Sequence, residues 1–381
     1  MELTEADLPA LSRGCAVLGT GGGGAVDTAT PSALQALRTN GPLPVRRLDE
    51  LDPETLVAPM AGIGAPTVSH EMPGSLAQPL RLRDEIERQT GRRIGAIMAS
   101  EIGGSNGVEP VAWASRLGVP LLDADCMGRA FPEVQMVSTV VAGRSSEGGV
   151  VMSDVVGNVS VLRPVSAVWA ERQARALCVA SGATSLISNH FMTAADARGA
   201  VIEGSVSRAV GIGHAVDDAE DPVAALVAHL NASHLLDGKI IDVERTTGGG
   251  FVRGSAVVEG TGSYAGRMVR IEIQNENLAV FEGGEVLASV PDLISVVDAQ
   301  TADAISTEML RYGQRVSVLA WPCDPLWRTE KGLEVVGPKA FGYDIVYRPV
   351  EELAPPRDHQ RSAARSRGQR LMIMGRARVE G

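Results

Sequence analysis

Apolar residues over 5–18 recur every three to four positions, which predicts an amphipathic helix running into GTGGGG at 19–24. A short helix is predicted over 32–38, a strand over 42–48, and a buried strand over the apolar, Gly-rich stretch 55–65. Mixed charge at helical spacing marks 80–90. The run RIGAIMA (93–99) predicts a buried strand, EIGGSNG (101–107) the loop after it, 108–117 a helix, and 119–122 another buried strand ending in DADCMGRAFPE (123–133). Strand, polar loop, helix and strand in turn are the pattern of an α/β layer.

After residue 134 the pattern changes. Residues 134–165 are Val-rich with Gly and Asn punctuation and predict a run of strands. Helices are predicted over 166–181, 193–210 and 222–236. From 239 to 349 short alternating runs with Gly turns predict a β-rich half. The expected fold class is therefore an α/β N-terminal domain (1–165) plus a β-rich mixed α+β C-terminal domain (166–354). A basic tail (355–381) follows Pro355-Pro356 and is expected to be mobile.

Composition narrows the function classes. The net charge of −11 belongs to an acidic body, because residues 357–381 hold seven Arg against Asp358 and Glu380. Nucleic-acid affinity rests on clustered cations, so no nucleic acid is expected as a partner. No apolar run reaches the ~20 residues of a membrane span, so no membrane is expected. MELTEADLPALSRG carries acids where a signal peptide begins basic, which points to the cytoplasm. The four Cys (15, 126, 178, 323) lie far apart with no C-x-x-C spacing, as in reduced thiols. A homo-oligomer is expected only from the general frequency of symmetric assemblies.

Three Gly-rich loops and several strand-end carboxylates are the candidate chemistry. Gly19-x-Gly21-x-x-Gly24 has the letters of a dinucleotide fingerprint but follows a helix, so no dinucleotide is expected. The backbone of Gly21, Gly22, Gly23 and Gly24 either cradles an anionic or carbonyl group or forms a tight turn with no ligand. Glu101, Asp123 and Asp125 fall at the ends of adjacent predicted strands, where α/β proteins place ligands. Crowded carboxylates raise one another's pKa, which suits a general base, and they also suit a hard cation, so a divalent metal stays open. Arg129 neutralises them or grips an anionic substrate; the alternative is an Asp–Arg structural network with helix caps. Cys126 reads better as a packed thiol than as a nucleophile, and the roles of His70 and His190 stay open. IEIQNENLAVF (271–281) reads either as a strand presenting Asn275 and Asn277 on one face and Gln274 and Glu276 on the other, or as a turn. Amides suit a cyclic amide substrate. VERTTGGGFVRG (243–254) is either a hairpin or a substrate-lining loop.

LGTGGGG, EIGGSNGVEP, LLDADCMGRAFPEVQM, DVERTTGGGFVRG, IQNENL, VPDLI, TEMLRYGQRV and GPKAFGYD occur in one order over residues 5–349. This set resembles a bacterial family named for S-methyl thiohydantoin desulfurase, some members of which are called hydantoin-utilisation proteins. The resemblance implies an α/β domain joined to a β-rich domain. It also implies a hydrolase that attacks C2 of a hydantoin-like five-membered ring with water and releases a thiolate. On that reading Glu101, Asp123 or Asp125 is the base. Backbone groups of Gly21–Gly24 or of Gly103 and Gly104, with Asn106, stabilise the developing charge, and Arg129 holds a substrate carboxylate. A cyclase or lyase on the same scaffold, and a non-catalytic nucleotide-binding or partner subunit, are the competing readings.

Overall fold

The computed structural model describes residues 1–64, 68, 72, 74–144, 149–248 and 251–354. His70, Glu71, Gly249, Gly250 and the tail from 355 lie outside them. In the first sheet the strands are β1 (Glu2–Leu3), β2 (Leu43–Arg46), β3 (Leu56–Gly64), β4 (Ile94–Ala99), β5 (Leu121–Asp125), β6 (Val150–Asp154), β7 (Val159–Leu162), β8 (Thr184–Asn189), β9 (Met192–Thr193) and β10 (Ile202–Glu203). Their order is β1-β2-β5-β4-β3-β8-β6-β7, with β9 on β3 and β10 on β5. The segment β2-β5-β4-β3 is parallel, while β8, β6 and β7 add antiparallel. Strands β4 and β5 are almost wholly buried, as expected where helices cover both faces of a parallel sheet.

Helices α1 (Leu8–Leu18), α2 (Val26–Asn40), α3 (Gln78–Thr90), α4 (Ser105–Leu117), α5 (Ser138–Val141), α6 (Ala167–Ala180), α7 (Ala194–Ala197), α8 (Ser205–His214) and α9 (Pro222–Leu230) occupy much of the chain between the strands. Several depart from the pattern-based reading. Helix α4 begins at Ser105, inside the predicted EIGGSNG loop, because Gly104 at φ 64 turns the chain straight into it. The predicted helix 193–210 is split into α7, β10 and α8, since Gly204 at φ 77 takes a conformation that interrupts a helix and instead caps α8. The predicted helix 222–236 stops at Leu230, where Asn231 turns left-handed, and Ser233 already begins a strand. Residues 138–141 of the expected strand run are helical. The first sheet also continues past residue 165, because β8, β9 and β10 return to it.

The second sheet is antiparallel throughout. It comprises β11 (Ser233–Gly248), β12 (Phe251–Gly260), β13 (Met268–Gln274), β14 (Glu276–Glu282), β15 (Glu285–Ser289), β16 (Leu293–Asp298) and β17 (Arg315–Trp321), in the order β15-β14-β13-β12-β11-β17-β16. Ile240, Val258, Ile271, Val280, Val296 and Val318 form its own core. Leu293, Val297, Leu319 and Trp321 instead join the core of the first sheet, so burial is continuous between the halves. Buried polar bonds reinforce the junction: Ser295 Oγ donates to the Val17 carbonyl at 2.7 Å and Trp327 Nε1 to the Met127 carbonyl at 2.8 Å. Among the described residues no helix is long and apolar enough to cross a membrane.

Candidate functional site

Loops at the carboxyl ends of β3 and β4, the inner face of α4, part of α2 and the strand β8 enclose a cavity of about 460 Å³. That size suits a small organic molecule. The turn between β13 and β14 supplies a wall from the second sheet through Asn275 and Glu276. The single-strand reading of 271–281 is thereby corrected. Gln274 pairs directly with Glu276, and Asn275 at φ 56 forms the tip of a hairpin, so Asn275 and Asn277 do not share a strand face. Asn tolerates that left-handed conformation better than most residues, and the Val252 N–H further fixes its side chain by donating to Oδ1 at 2.8 Å.

Four carboxyl groups line this cavity: Glu101 after β4, Glu109 on α4, Glu133 in the loop after β5, and Glu276 at the start of β14. Glu101 is 7% exposed. Its Oε1 accepts from Asn106 Nδ2 at 2.5 Å and its Oε2 from the Phe131 N–H at 3.2 Å. These donors favour the ionised form, but burial outweighs them and raises the pKa to about 8. Burial alone raises Glu109 to about 7. Glu276 is pushed up by burial and then by the neighbouring Glu101 charge, against the pull of Arg129, and its Oε2 has no hydrogen-bond partner among the described residues. Groups that gain and lose protons near neutrality within one cavity are suited to acid–base work.

Of the residues expected from the sequence, Glu101, Gly23, Gly24, Asn106 and Asn275 line the cavity. Asn106 is held in place by the backbone of β3, its Oδ1 accepting from the Gly62 N–H at 2.7 Å. The other expected residues are not on the cavity wall, and the structure gives each a different role. Asp123 binds the start of α8, accepting from the Ser207 N–H at 2.9 Å and the Ser207 hydroxyl at 2.5 Å. Asp125 is fully buried and fixes the turn after β5, its Oδ2 accepting from the N–H groups of Ile102, Met127 and Gly128. Burial still raises it to about 7. The alternation that places both Asp side chains on one side of β5 therefore turns them toward α8 and the strand-end turns rather than into the cavity.

Arg129 is fully buried and spends its guanidinium on Ala130, Pro291 and Asp292 carbonyls and the Thr20 hydroxyl, at 2.7–2.9 Å. It stacks on Phe131 and ties the two halves together with four of its five N–H donors, and it lies off the cavity wall, away from any substrate carboxylate held there. Asn277 donates its side-chain amide to the Ile294 carbonyl and its backbone N–H to the Thr20 carbonyl. Gly21 and Gly22 serve close packing. A methyl group on Gly21 would press on Thr307 and Asn277, and one on Gly22 would overlap Glu276 Oε1. Gly103 and Gly104 pack against Ala130 and Gly23 in the same way. Burial pushes the Cys126 thiol well up, which keeps it unreactive. His190 is lowered to about 4 by burial and lies off the cavity wall.

Reading the chain for strand ends alone misses Glu109, Glu276 and Arg116. A signal was present: Asn106, Glu109, Trp113 and Arg116 recur at helical spacing and all line the cavity. A polar stripe there marks a helix face turned to a cavity rather than to a core. Glu276 stands in the IEIQNENLAVF motif, but its place on the cavity wall depends on how the second sheet docks. Among the described residues no three His, Cys, Asp or Glu side chains converge as metal ligands.

Comparison with known proteins agrees with this architecture. A search of curated proteins returns no match. The crystal structure of a protein from Chromobacterium violaceum superposes with a TM-score of 0.77 over 92% of this chain and 100% of that one, at 23% identity, a likeness of fold alone. Residues 6–164 match the S-Me-THD-like N-terminal domain and residues 165–350 the S-Me-THD-like C-terminal domain. With both domains present in order and spanning the two sheets that enclose the carboxyl-lined cavity, the chain belongs to the S-methyl thiohydantoin desulfurase-like family.

Proposed function

We propose that the cavity hydrolyses the exocyclic C–S bond of an S-alkylated thiohydantoin, a five-membered cyclic amide. The observation that carries this reading is the convergence of Glu101, Glu109 and Glu276, all with raised pKa, in one cavity of small-molecule size. The family's name supports an enzyme of desulfurase type.

The ring carbon C2 carries an S-alkyl group and a C=N bond. Glu101, protonated at neutral pH, gives its proton to the ring nitrogen and makes C2 electrophilic. Glu109, ionised in a comparable fraction of molecules, takes a proton from water as its oxygen bonds to C2. The tetrahedral intermediate then expels the alkanethiolate, which leaves with the proton held by Glu109. The new C2–OH becomes C=O by returning its proton to Glu101. Water is consumed, the C–S bond is replaced by C–O, and a hydantoin and an alkanethiol result. Among the described residues the Asn275 Nδ2 amide has no hydrogen-bond partner and suits a ring carbonyl. Burial, with a contribution from the Asp125 charge, keeps Glu101 in its acid form, and the Glu101 charge in turn raises Glu276.

The test is incubation of the purified protein with 5-substituted 2-methylthio-imidazolones, following methanethiol with a thiol reagent and the hydantoin by mass spectrometry. Work in ¹⁸O water is expected to label C2 of the product. Absence of methanethiol from the wild-type protein across a substituent series overturns the proposal. Ring opening, or loss of a group without ¹⁸O uptake, would assign a lyase or cyclase instead.

A further inference from the structure

Apolar side chains scattered singly over a surface are ordinary, but a cluster of them marks a contact face. Among the described residues fourteen large apolar side chains are exposed, and six fall within residues 156–169: Val156, Val159, Val161, Val165, Val168 and Trp169. Val156 and Val165 are almost fully open, at 81% and 90%. The six follow one edge of the first sheet. Val156 lies in the turn between β6 and β7, and Val159 and Val161 lie on β7. Val165 leads into α6, which begins with Val168 and Trp169 and packs against β7. Together they leave roughly 500 Å² of mainly apolar surface open, near the top of the range for a monomer.

Strand β7 ends the sheet order, and among the described residues no strand pairs with its outer side. The opposite edge, β1, is only two residues long, which blunts it. β7 reads VSVL, with no charge, Pro or bulge inside it. The turn before it fixes which backbone groups face outward. Asp154 donates its N–H to the Asn158 carbonyl at 3.1 Å, and bonded pairs alternate along an antiparallel ladder. Ser160 and Leu162 therefore bond to β6, while the N–H and C=O groups of Val159 and Val161 point away from the sheet. Such an edge is a template for another strand. We propose that β7 pairs antiparallel with β7 of a second copy about a two-fold axis at Ser160, joining two first sheets into one. Val-Ser-Val is symmetric about Ser160, so the edge is complementary to itself, as a two-fold contact requires. Val159 of each copy then lies opposite Val161 of the other, and these residues exchange four backbone hydrogen bonds. Sliding the strands by two residues in either direction sets a Val against Arg163 or Gly157 and leaves one Val–Val pair in place of two. Covering the patch on both copies removes roughly 1,000 Å² from water, the threshold for a specific interface. The pairing is independent of the chemistry proposed above, since none of these residues lines the cavity.

Sedimentation velocity of the full chain at micromolar concentration tests the pairing, with a species of twice 39.8 kDa expected. Val159→Lys combined with Val161→Lys sets like charges opposite each other across the axis. It is expected to raise the dimer dissociation constant about 100-fold or more. Far-UV circular dichroism should stay that of the wild type, because both side chains face solvent in the single copy. Ser160→Cys reads the register itself. Residues opposed in a non-bonded pair have Cα atoms about 4.5 Å apart, within disulfide range, so mild oxidation should yield a cross-linked dimer on a non-reducing gel. The four native Cys are buried, and the oxidised wild type controls for them. A monomeric wild type, a dimer that survives the double Lys substitution, or a Ser160→Cys protein that stays uncross-linked overturns the proposal.

Discussion

Replacing Glu101 with Gln should make the protein more stable, and increasingly so as pH rises. Burial lifts the carboxyl from its ordinary 4.5 to about 8. Between those values the folded protein keeps a proton that the unfolded chain has released. Stability therefore falls with rising pH, by about 1.4 kcal/mol for each pH unit in that window. Integrated across it, the penalty reaches about 5 kcal/mol above pH 8 and is near zero below pH 4.5. The amide of Glu101→Gln imitates the protonated acid: it offers an acceptor and a donor where Asn106 Nδ2 and the Phe131 N–H both donate. That mismatch is shared with protonated Glu101, so it cancels in the comparison. Urea denaturation of both proteins at pH 5, 7 and 9 measures the effect. The expected gain for Glu101→Gln is small at pH 5, about 3 kcal/mol at pH 7 and about 5 kcal/mol at pH 9. Parallel stability curves for the two proteins from pH 5 to pH 9 would refute the claim that this carboxyl is held protonated by burial.

Other substitutions separate chemistry from scaffold. Glu101→Gln and Glu109→Gln should each lower turnover of an S-methyl thiohydantoin by about 10²- to 10⁴-fold in steady-state assays. Asp123→Asn should instead cost about 1 kcal/mol of stability through the weakened contact with Ser207, with kcat unchanged; loss of turnover in a fully folded variant would return Asp123 to the chemistry. Arg129→Met leaves the Pro291 and Asp292 carbonyls without their buried donor and should destabilise by about 3–5 kcal/mol in denaturant titration. Gly22→Ala forces Glu276 aside and should cost about 1–3 kcal/mol, with a change in the pH–rate profile that a remote packing defect would not produce.

The sequence by itself determined the fold class, an α/β half followed by a β-rich half, and the inner strands of the first sheet. Short apolar runs such as RIGAIMA are buried on both faces and can only be inner strands, and the helical repeat of 5–18 rules out a strand before GTGGGG. It also determined that Glu101 follows a strand end at the edge where the cavity lies, because that placement depends only on β4 and the turn after it. The positions of Asp123 and Asp125 were equally legible, but their direction was not. Which way a strand-end carboxylate turns depends on what packs beside it, and here α8 and the turns at 102 and 126–128 supply donors that draw both away from the cavity. Arg129 reads as a substrate clamp in the sequence because its partners, the carbonyls of 291 and 292, lie more than 160 residues away in the chain. Glu276 joins Glu101 only because the second sheet docks its β13–β14 hairpin against the glycine loop, where side-chain-free backbone allows the approach. Periodicity reports burial along one element; the pairing of groups from elements far apart in sequence is decided by tertiary packing.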